Sequence, residues 1–276
     1  MKTLIKKIAI LALVTGIFIS CNNDETTTTQ GNVKVSITDA PFPFAFATEA
    51  NVSVAKVELK DAKGNYITVF EGNGNYNMVG LTNGTTAQVN ATSIEAGTYN
   101  KARVTLSGAS THLSNGTVYD LTADASGSYI IAIAPALVVE QGGQSEILFD
   151  LDISNSFQFK GFGGIQLPVW ISSIASVHGC RFNADFRAVD LDQTGTISGT
   201  VNNEITAEHV ANAHVTVTVA GEEISAQTDA SGNFTFIGVR EGTYTVSAQT
   251  ADGLNGASGT ITVAANGTAS CSFLVN

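Results

Sequence analysis

Apolar and polar residues alternate along most of the chain, the pattern of β-strands with one buried face. Residues 33–37 alternate near the start, and residues 147–153 form the clearest run. Within residues 52–59 the alternation slips by one position, which predicts a β-bulge. Nothing after the first twenty residues has the period of a three-turn helix. The pattern predicts an all-β protein of β-sandwich architecture, with strands separated by Gly and Asn turns.

The strands fall into two groups, which predicts two β-sandwich domains in tandem. The first covers residues 32–190 and the second residues 194–276, joined by the short segment 188–195. Seven short strands in about eighty residues fit a Greek-key sandwich for the second domain. The predicted strands of that domain are residues 196–201, 215–219, 224–228, 234–237, 244–248, 261–263 and 271–275.

The N-terminus has the organisation of a secretory signal. Residues 1–20 have three lysines among their first seven positions and continue with an apolar run that is too short to cross a bilayer comfortably. Residues 18–21 resemble the lipobox of bacterial lipoproteins, which implies cleavage before Cys21 and acylation of that cysteine. An ordinary signal peptide with an incidental cysteine is the alternative. Cys21 and the polar, Thr-rich residues up to 31 are then an acylated anchor and a short tether.

Composition narrows the choice of partners. Residues 21–276 carry 10 basic against 24 acidic residues, a net charge of −14, which argues against binding nucleic acid. No second long apolar run follows the signal, so lipid on Cys21 would be the link to the membrane. Cys180 and Cys271 fall in different predicted domains, which favours two separate core cysteines over a disulfide.

The second domain resembles the carboxypeptidase regulatory-like family, a transthyretin-like sandwich. Residues 195–201, 212–217, 228–236 and 241–246 carry the resemblance. The turn at residues 229–232 should bring Phe234 and Phe236 to the inner face. The resemblance implies a mostly non-catalytic module that often occurs on bacterial surface proteins. Its likeness to starch-binding modules raises glycan binding as an alternative, by analogy of fold alone.

The first domain resembles a lipoprotein family of unknown function, DUF4382. Residues 31–35, 38–41, 95–99 and 149–152 carry this resemblance, with the Leu-Pro pair at 167–168. It implies an architecture and an envelope location, but no known activity. Asp24 and Glu25, just after Cys21, resemble the signal that exports Bacteroidota lipoproteins to the outer face of the outer membrane. A plain solvated linker is the other interpretation of those two residues.

An aromatic segment follows the first strand, where the family often has polar residues. Its sequence, Pro-Phe-Pro-Phe-Ala-Phe at 41–46, should place Phe42, Phe44 and Phe46 on one side of a stiff chain. If exposed, the three rings would form an apolar contact site for a sugar face or a partner groove. If buried, they would plug one end of the sandwich, and the apolar character of phenylalanine favours burial.

Residues that could carry chemistry are sparse. Asp150 and Asp152 should project from one outer face about 7 Å apart, a spacing seen in glycoside hydrolysis, but a solvated pair is the favoured interpretation. A cation site joining them with Asp190 and Asp192 is a weaker alternative. The chain has no nucleophile elbow, no phosphate-binding glycine loop and no recognisable zinc spacing. We therefore expect no enzyme activity, no cofactor and no metal.

The sequence thus predicts a lipid-anchored outer-membrane protein, exposed at the cell surface, with a non-catalytic role in binding or adhesion. One alternative is a carbohydrate-binding accessory of a glycan-uptake system. Another is a structural component of a surface appendage or envelope complex. The expected partners are the membrane, through the lipid, and a glycan or a surface protein.

Overall fold

The structure, a computed structural model, describes residues 29–40, 46–167 and 173–276. Almost all regular structure in these ranges is β, and the two helices found there have four residues each. The all-β class and the tandem β-sandwich architecture are thus confirmed. Within the described ranges, no helix has the length and apolarity needed to span a bilayer.

The first domain consists of eleven strands and two short helices within the described residues. Its strands are β1 Gln30–Ala40, β2 Ala47–Lys60, β3 Tyr66–Asn77, β4 Ala87–Glu95, β5 Gly97–Leu113, β6 Val118–Asp120, β7 Gly127–Val139, β8 Gln144–Asp152, β9 Phe157–Lys160, β10 Gly179–Phe182 and β11 Phe186–Asp190. The helices are α1 Thr122–Ala125 and α2 Ile153–Ser156, and 3₁₀ turns cover Met78–Gly80, Phe162–Gly164, Ile174–Ser176 and Leu191–Gln193.

Nine of these strands form one sheet that folds around an apolar core. The order is β3-β2-β5-β7-β11-β8-β1-β4, with β6 added to β5, and the separate hairpin β9–β10 lies outside it. The two edge strands approach each other, and Asn90 Nδ2 on β4 donates a hydrogen bond to the Val69 carbonyl on β3 at 2.6 Å. The alternating inner residues Val33, Val35 and Ile37 are buried, as their period predicted.

One local prediction for this domain, the β-bulge in β2, is confirmed. The register of β2 shifts between Val54 and Lys56 against both neighbouring strands, which is the expected bulge. The turn between β2 and β3 closes with a hydrogen bond from the Gly64 amide to the Asp61 carbonyl. Gly64 has a φ of +93°, a backbone conformation in which a residue with a side chain would be strained.

The second domain has its own core and three small sheets. Its strands are β12 Thr194–Asn203, β13 His214–Val219, β14 Glu222–Gln227, β15 Asn233–Arg240, β16 Gly242–Tyr244, β17 Val246–Gln249, β18 Asn255–Ala257, β19 Ile261–Val263 and β20 Thr268–Val275. They pair as β15-β12-β20, β14-β13-β17-β18 and β16-β19. The strand predicted at 244–248 is divided between β16 and β17. Phe234 and Phe236 are buried side by side with ring centroids 5.8 Å apart, as predicted.

The two domains meet on the outer face of the first sheet. β11 runs to Asp190 and β12 begins at Thr194, so the joint is reduced to the 3₁₀ turn between them. Leu148 and Val189 point away from the first core but are fully buried, because Gly238 of the second domain lies against them. The second domain therefore covers part of the first sheet.

Candidate binding surfaces

The described part of the predicted aromatic segment lies in the core. Phe46 is 4% exposed, and its ring meets Phe159 edge-on with centroids 5.2 Å apart. Phe46 is thus buried at one end of the domain, as the second interpretation of the segment predicted. Its ring is not accessible to a ligand. Phe42 and Phe44 lie outside the described residues, so their assignment as ligand contacts stays a prediction.

An apolar surface is instead found on residues 161–165, which we call the tip loop. Phe162 is 84% exposed and Ile165 is 70% exposed. The loop is held by hydrogen bonds from the Gly161 amide to the Ile165 carbonyl at 2.8 Å and from the Gly164 amide to the Gly161 carbonyl at 3.0 Å. Gly163 and Gly164 both have positive φ, so the sequence Phe-Gly-Gly-Ile suits a tight turn that presents both apolar side chains outward.

The surroundings of the tip loop differ from the rest of this acidic protein. Phe162 is the one exposed aromatic side chain in the described ranges, and the His178 ring meets it edge-on at 6.1 Å. Residues 161–180 contain no Asp, Glu, Lys or Arg, and cationic Lys160 and Arg181 flank them. Phe162 and Ile165, exposed together on one turn, are therefore candidate contact residues.

The tip loop lies at the end of the first domain opposite to the N-terminal end of β1. The Ala96 amide, just before β5, donates a hydrogen bond to the carbonyl of Thr29, just before β1. At the far end of β5, Leu113 pairs with Ala47, and the neighbouring Phe46 ring packs on Phe159 of β9. The ten residue steps of β1 correspond to roughly 33 Å. A chain anchored before β1 would therefore hold the tip loop away from its anchor.

A second candidate surface, a concave one, lies beside the joint. A cleft of about 520 Å³ crosses β4, β1 and β8 on the outer face of the sheet, and Asp192 of the joint forms part of its wall. Its polar lining includes Lys34, whose ammonium contacts Glu146 Oε1 at 3.0 Å. The cleft has both hydrogen-bond donors and acceptors, in contrast to the apolar tip loop.

The prediction that Asp150 is part of a solvated pair is wrong. Its side chain is 13% exposed, and its Oδ2 accepts a hydrogen bond from Arg187 Nη2 at 2.7 Å. Arg187 also donates to the carbonyls of Gly238 and Ile237, so this ion pair is covered by the second domain. Sequence alternation predicted correctly that Asp150 lies on the outer face of the first sheet, but the second domain covers that face.

Asp152 caps α2 and does not face an open cleft. Its Oδ1 accepts hydrogen bonds from the Asn155 amide and the Ser154 hydroxyl. Burial raises the pKa of Asp152 above its usual value. Asp190 was a predicted ligand of the alternative cation site. Its carboxylate instead accepts hydrogen bonds from the Val138 amide and the Gln193 side chain. In the described part of the chain, no three His, Cys, Asp or Glu side chains converge as metal ligands would.

Asp39 carries a buried carboxyl group in the first domain. One oxygen accepts the Ile153 amide at 3.0 Å, whereas Oδ2 is buried and has no hydrogen-bond partner among the described residues. Burial raises its pKa well above the usual value, and the charges of Asp150 and Asp152 act in the same direction. This carboxyl group is inaccessible to a ligand and bears on stability instead.

The two described cysteines are free, which confirms the preference against a disulfide. Cys271 is buried and Cys180 is half-buried, where burial raises the pKa of its thiol to about 12. A thiol with so high a pKa is a poor nucleophile at neutral pH. Cys21 lies outside the described residues, so its acylation stays a prediction.

Sequence reasoning missed the tip loop because its glycines were compared only with the pattern of a phosphate-binding loop, which they do not match. The usable signal was the absence of charge over residues 161–180 in an otherwise acidic chain. The cleft gave no signal, because its polar residues alternate with core residues as in any half-buried strand.

Comparison with protein families identifies both domains. Residues 30–168, just over half of the chain, match the family described as Domain of unknown function (DUF4382). Residues 196–275 match the Carboxypeptidase regulatory-like domain. Both resemblances drawn from the sequence are therefore confirmed. No curated protein matches the chain significantly.

Solved structures give only distant likenesses. The Bacillus anthracis TIE protein is 12% identical with a TM-score of 0.27, over 83% of this chain and 34% of that one, so this chain spans about a third of its length. BcpA, the major pilin subunit of Bacillus cereus, is 10% identical with a TM-score of 0.23, over 90% and 99% of the two chains. The shaft pilin SpaA from Lactobacillus rhamnosus GG is 9% identical with a TM-score of 0.23, over 88% and 97%. Likenesses this distant carry no functional argument.

Proposed function

The chain belongs to the DUF4382 family and ends in a carboxypeptidase regulatory-like domain, and on this premise we propose that it is a lipid-anchored, non-catalytic binding protein of the cell surface. Acylated Cys21 holds it to the outer membrane, and the two sandwiches display a contact surface. Its role is binding or adhesion, with a surface protein or a glycan as the partner.

The observation that carries the proposal is the exposed apolar tip loop. Phe162 and Ile165 place an aromatic ring and a branched aliphatic side chain in solvent on a tight glycine turn. A rigid turn loses little conformational entropy when it binds, and aromatic anchors contribute a large share of interface energy. The loop lies away from the N-terminal end of β1, which supports contact with something beyond the protein's own membrane.

The alternative of a structural component built by strand addition receives less support. Such assembly needs an open sheet edge that can pair with another chain. The edge strands of the first sheet, β3 and β4, approach each other, with Asn90 bonded to the Val69 carbonyl. This arrangement leaves the first sheet little open edge for strand addition.

The contact is tested by probing the full chain against an array of glycans and extracellular-matrix proteins, beside a Phe162→Ala/Ile165→Ala variant. We expect the double substitution to weaken binding to the matrix proteins at least about tenfold, because alanine truncation of an aromatic anchor costs about 2 kcal/mol or more. The matched control is Ile205→Ala, since Ile205 is 85% exposed on the second domain. Equal loss in the control, or binding to the matrix proteins that survives the double substitution, would contradict the tip loop as the contact.

The anchor is tested separately by Cys21→Ser. Without the thiol no acyl chain can be attached at this position, and we expect the protein to leave the membrane fraction and become soluble after export. Metabolic labelling with a fatty-acid analogue, followed by fractionation, measures both effects. A Cys180→Ser protein should fractionate like the wild type. Membrane association that persists in Cys21→Ser would refute the lipid anchor.

A further inference from the structure

The cleft beside the joint, which we call the joint cleft, has the size and position of a small-molecule site. Its volume of about 520 Å³ falls within the range of about 300–1,000 Å³ typical of ligand pockets, which often lie at domain boundaries. Lys34 on β1 is in register with Ala91 on β4 and with Glu146 on β8, so the floor is built from three neighbouring strands. Asp192 adds a wall from the joint between the domains.

The polar side chains of the joint cleft are held in place before any ligand arrives. Glu146 Oε1 contacts the Lys34 ammonium at 3.0 Å and accepts the Ser36 hydroxyl at 2.6 Å. Ser93 donates to Asn32 Oδ1 at 2.6 Å across the β1–β4 pair. Such fixed positions reduce the entropy lost on binding.

The wall formed by Asp192 links the cleft to the second domain. Its side chain lines the cleft beside Glu146, while its backbone carbonyl accepts a hydrogen bond from Asn266 Nδ2 at 2.7 Å. Partial burial raises the pKa of Asp192, and the carboxylates of Asp190 and Glu146 act in the same direction. A ligand in the cleft would therefore contact residues of the joint as well as of the first sheet.

From this arrangement we infer that the joint cleft binds a neutral saccharide. Sugar hydroxyls both donate and accept hydrogen bonds, and the lining offers the amides of Asn32 and Gln144 and the ammonium of Lys34 beside two carboxylates. The lining has one cationic side chain, Lys34, and two acidic side chains, Glu146 and Asp192. This excess of acidic groups disfavours phosphorylated or sulfated ligands, which are anionic. The scarcity of large apolar side chains in the lining disfavours lipids. This site is separate from the tip loop and does not depend on contact there.

The inference is tested with an array of neutral oligosaccharides of glucose, galactose, mannose and xylose, printed beside sulfated and sialylated sugars and a polyamine. We expect the full chain to bind neutral sugars, and Asn32→Ala and Gln144→Ala each to weaken that binding about tenfold, the effect of losing one or two hydrogen bonds. Asn73→Ala on β3 is the matched control, since Asn73 is an exposed amide outside the cleft. The Phe162→Ala/Ile165→Ala variant should bind these sugars as the wild type does.

A labelling experiment on the wild type avoids any doubt about folding of the variants. Lys34 is 42% exposed in the cleft and Lys63 is 72% exposed on the β2–β3 turn. The strongest sugar on the array should slow acetylation of Lys34 but not of Lys63, as read by mass spectrometry. Preference for charged sugars or for the polyamine, unchanged affinity in both cleft variants, or equal labelling of Lys34 with and without sugar would each overturn the inference.

Discussion

At the scale of single residues, Asp39 combines deep burial with an incomplete set of hydrogen bonds. Its Oδ1 accepts a hydrogen bond from the Ile153 amide at the start of α2, and its Oδ2 has no partner within the part of the chain that the structure describes. Ionised, this oxygen would be a buried charge without compensation, which is strongly unfavourable. Burial therefore raises the pKa of Asp39 and favours the neutral acid in the folded protein.

This environment predicts an unusual pH dependence of stability. Because the folded-state pKa of Asp39 lies above its unfolded value, its contribution to the free energy of unfolding is complete below about pH 3.8 and is lost as the pH rises through the folded-state pKa. Relative to Asp39→Asn, the wild type should lose up to ~1.4 kcal/mol for each pH unit within that window. Urea unfolding of both proteins from pH 4 to pH 8 measures the difference.

Asp252→Asn provides the control for this experiment, since Asp252 is exposed on a turn of the second domain. A pH-dependent difference of the same size between the wild type and this control would contradict the assignment of the effect to Asp39. A flat difference between the wild type and Asp39→Asn would mean that Asp39 is ionised in the folded protein at little cost, contrary to our expectation.

At the scale of elements, the strand pattern was readable because burial on one face imposes a period of two. The buried residues Val33, Val35 and Ile37 and the register shift at Val54 both follow from the alternation. The division of the predicted strand at 244–248 did not follow, because β16 pairs with β19 whereas β17 pairs with β13. Pairing partners are a tertiary property that a local period does not contain.

The same limit explains why the exposure of outward-facing strand positions was predicted wrongly. Leu148 and Asp150 occupy outer positions of β8, and alternation predicts only that they leave the first core. Leu148 is nevertheless fully buried and Asp150 is paired with Arg187 beneath the second domain. The tip loop and the joint cleft were missed for a related reason, since each depends on what other segments leave uncovered.

At the scale of the whole molecule, the two domains are joined by more than the short joint. Arg240 Nε donates to the Ala134 carbonyl at 3.1 Å, and Arg187 donates to the Gly238 carbonyl at 2.7 Å. Together with the buried Leu148 and Val189, these contacts make a mixed polar and apolar interface. Such an interface would hold the joint cleft and the tip loop in a fixed relation to the second domain.

Gly238 is the residue on which this docking depends most directly. It has a φ of +67°, and a Cβ placed there would lie 2.8 Å from Val189 Cγ2 and 3.4 Å from Leu148 Cδ2. Gly238→Ala should therefore strain the backbone and also push the domains apart. We expect calorimetry to show two separated unfolding transitions and trypsin to cleave faster near Arg187 and Arg240, the basic residues of the interface.

The control for Gly238→Ala must share the backbone strain without the contact, and Gly221 meets this requirement. Its φ is +90°, and a Cβ there would have nothing within 4 Å. Gly221→Ala should cost only the roughly 1–2 kcal/mol of a left-handed residue and leave the domains docked, because no neighbour is displaced. If both variants lose the same stability and keep the same proteolysis pattern, the strain alone accounts for Gly238→Ala. The interface around Leu148 and Val189 would then contribute little to holding the domains together.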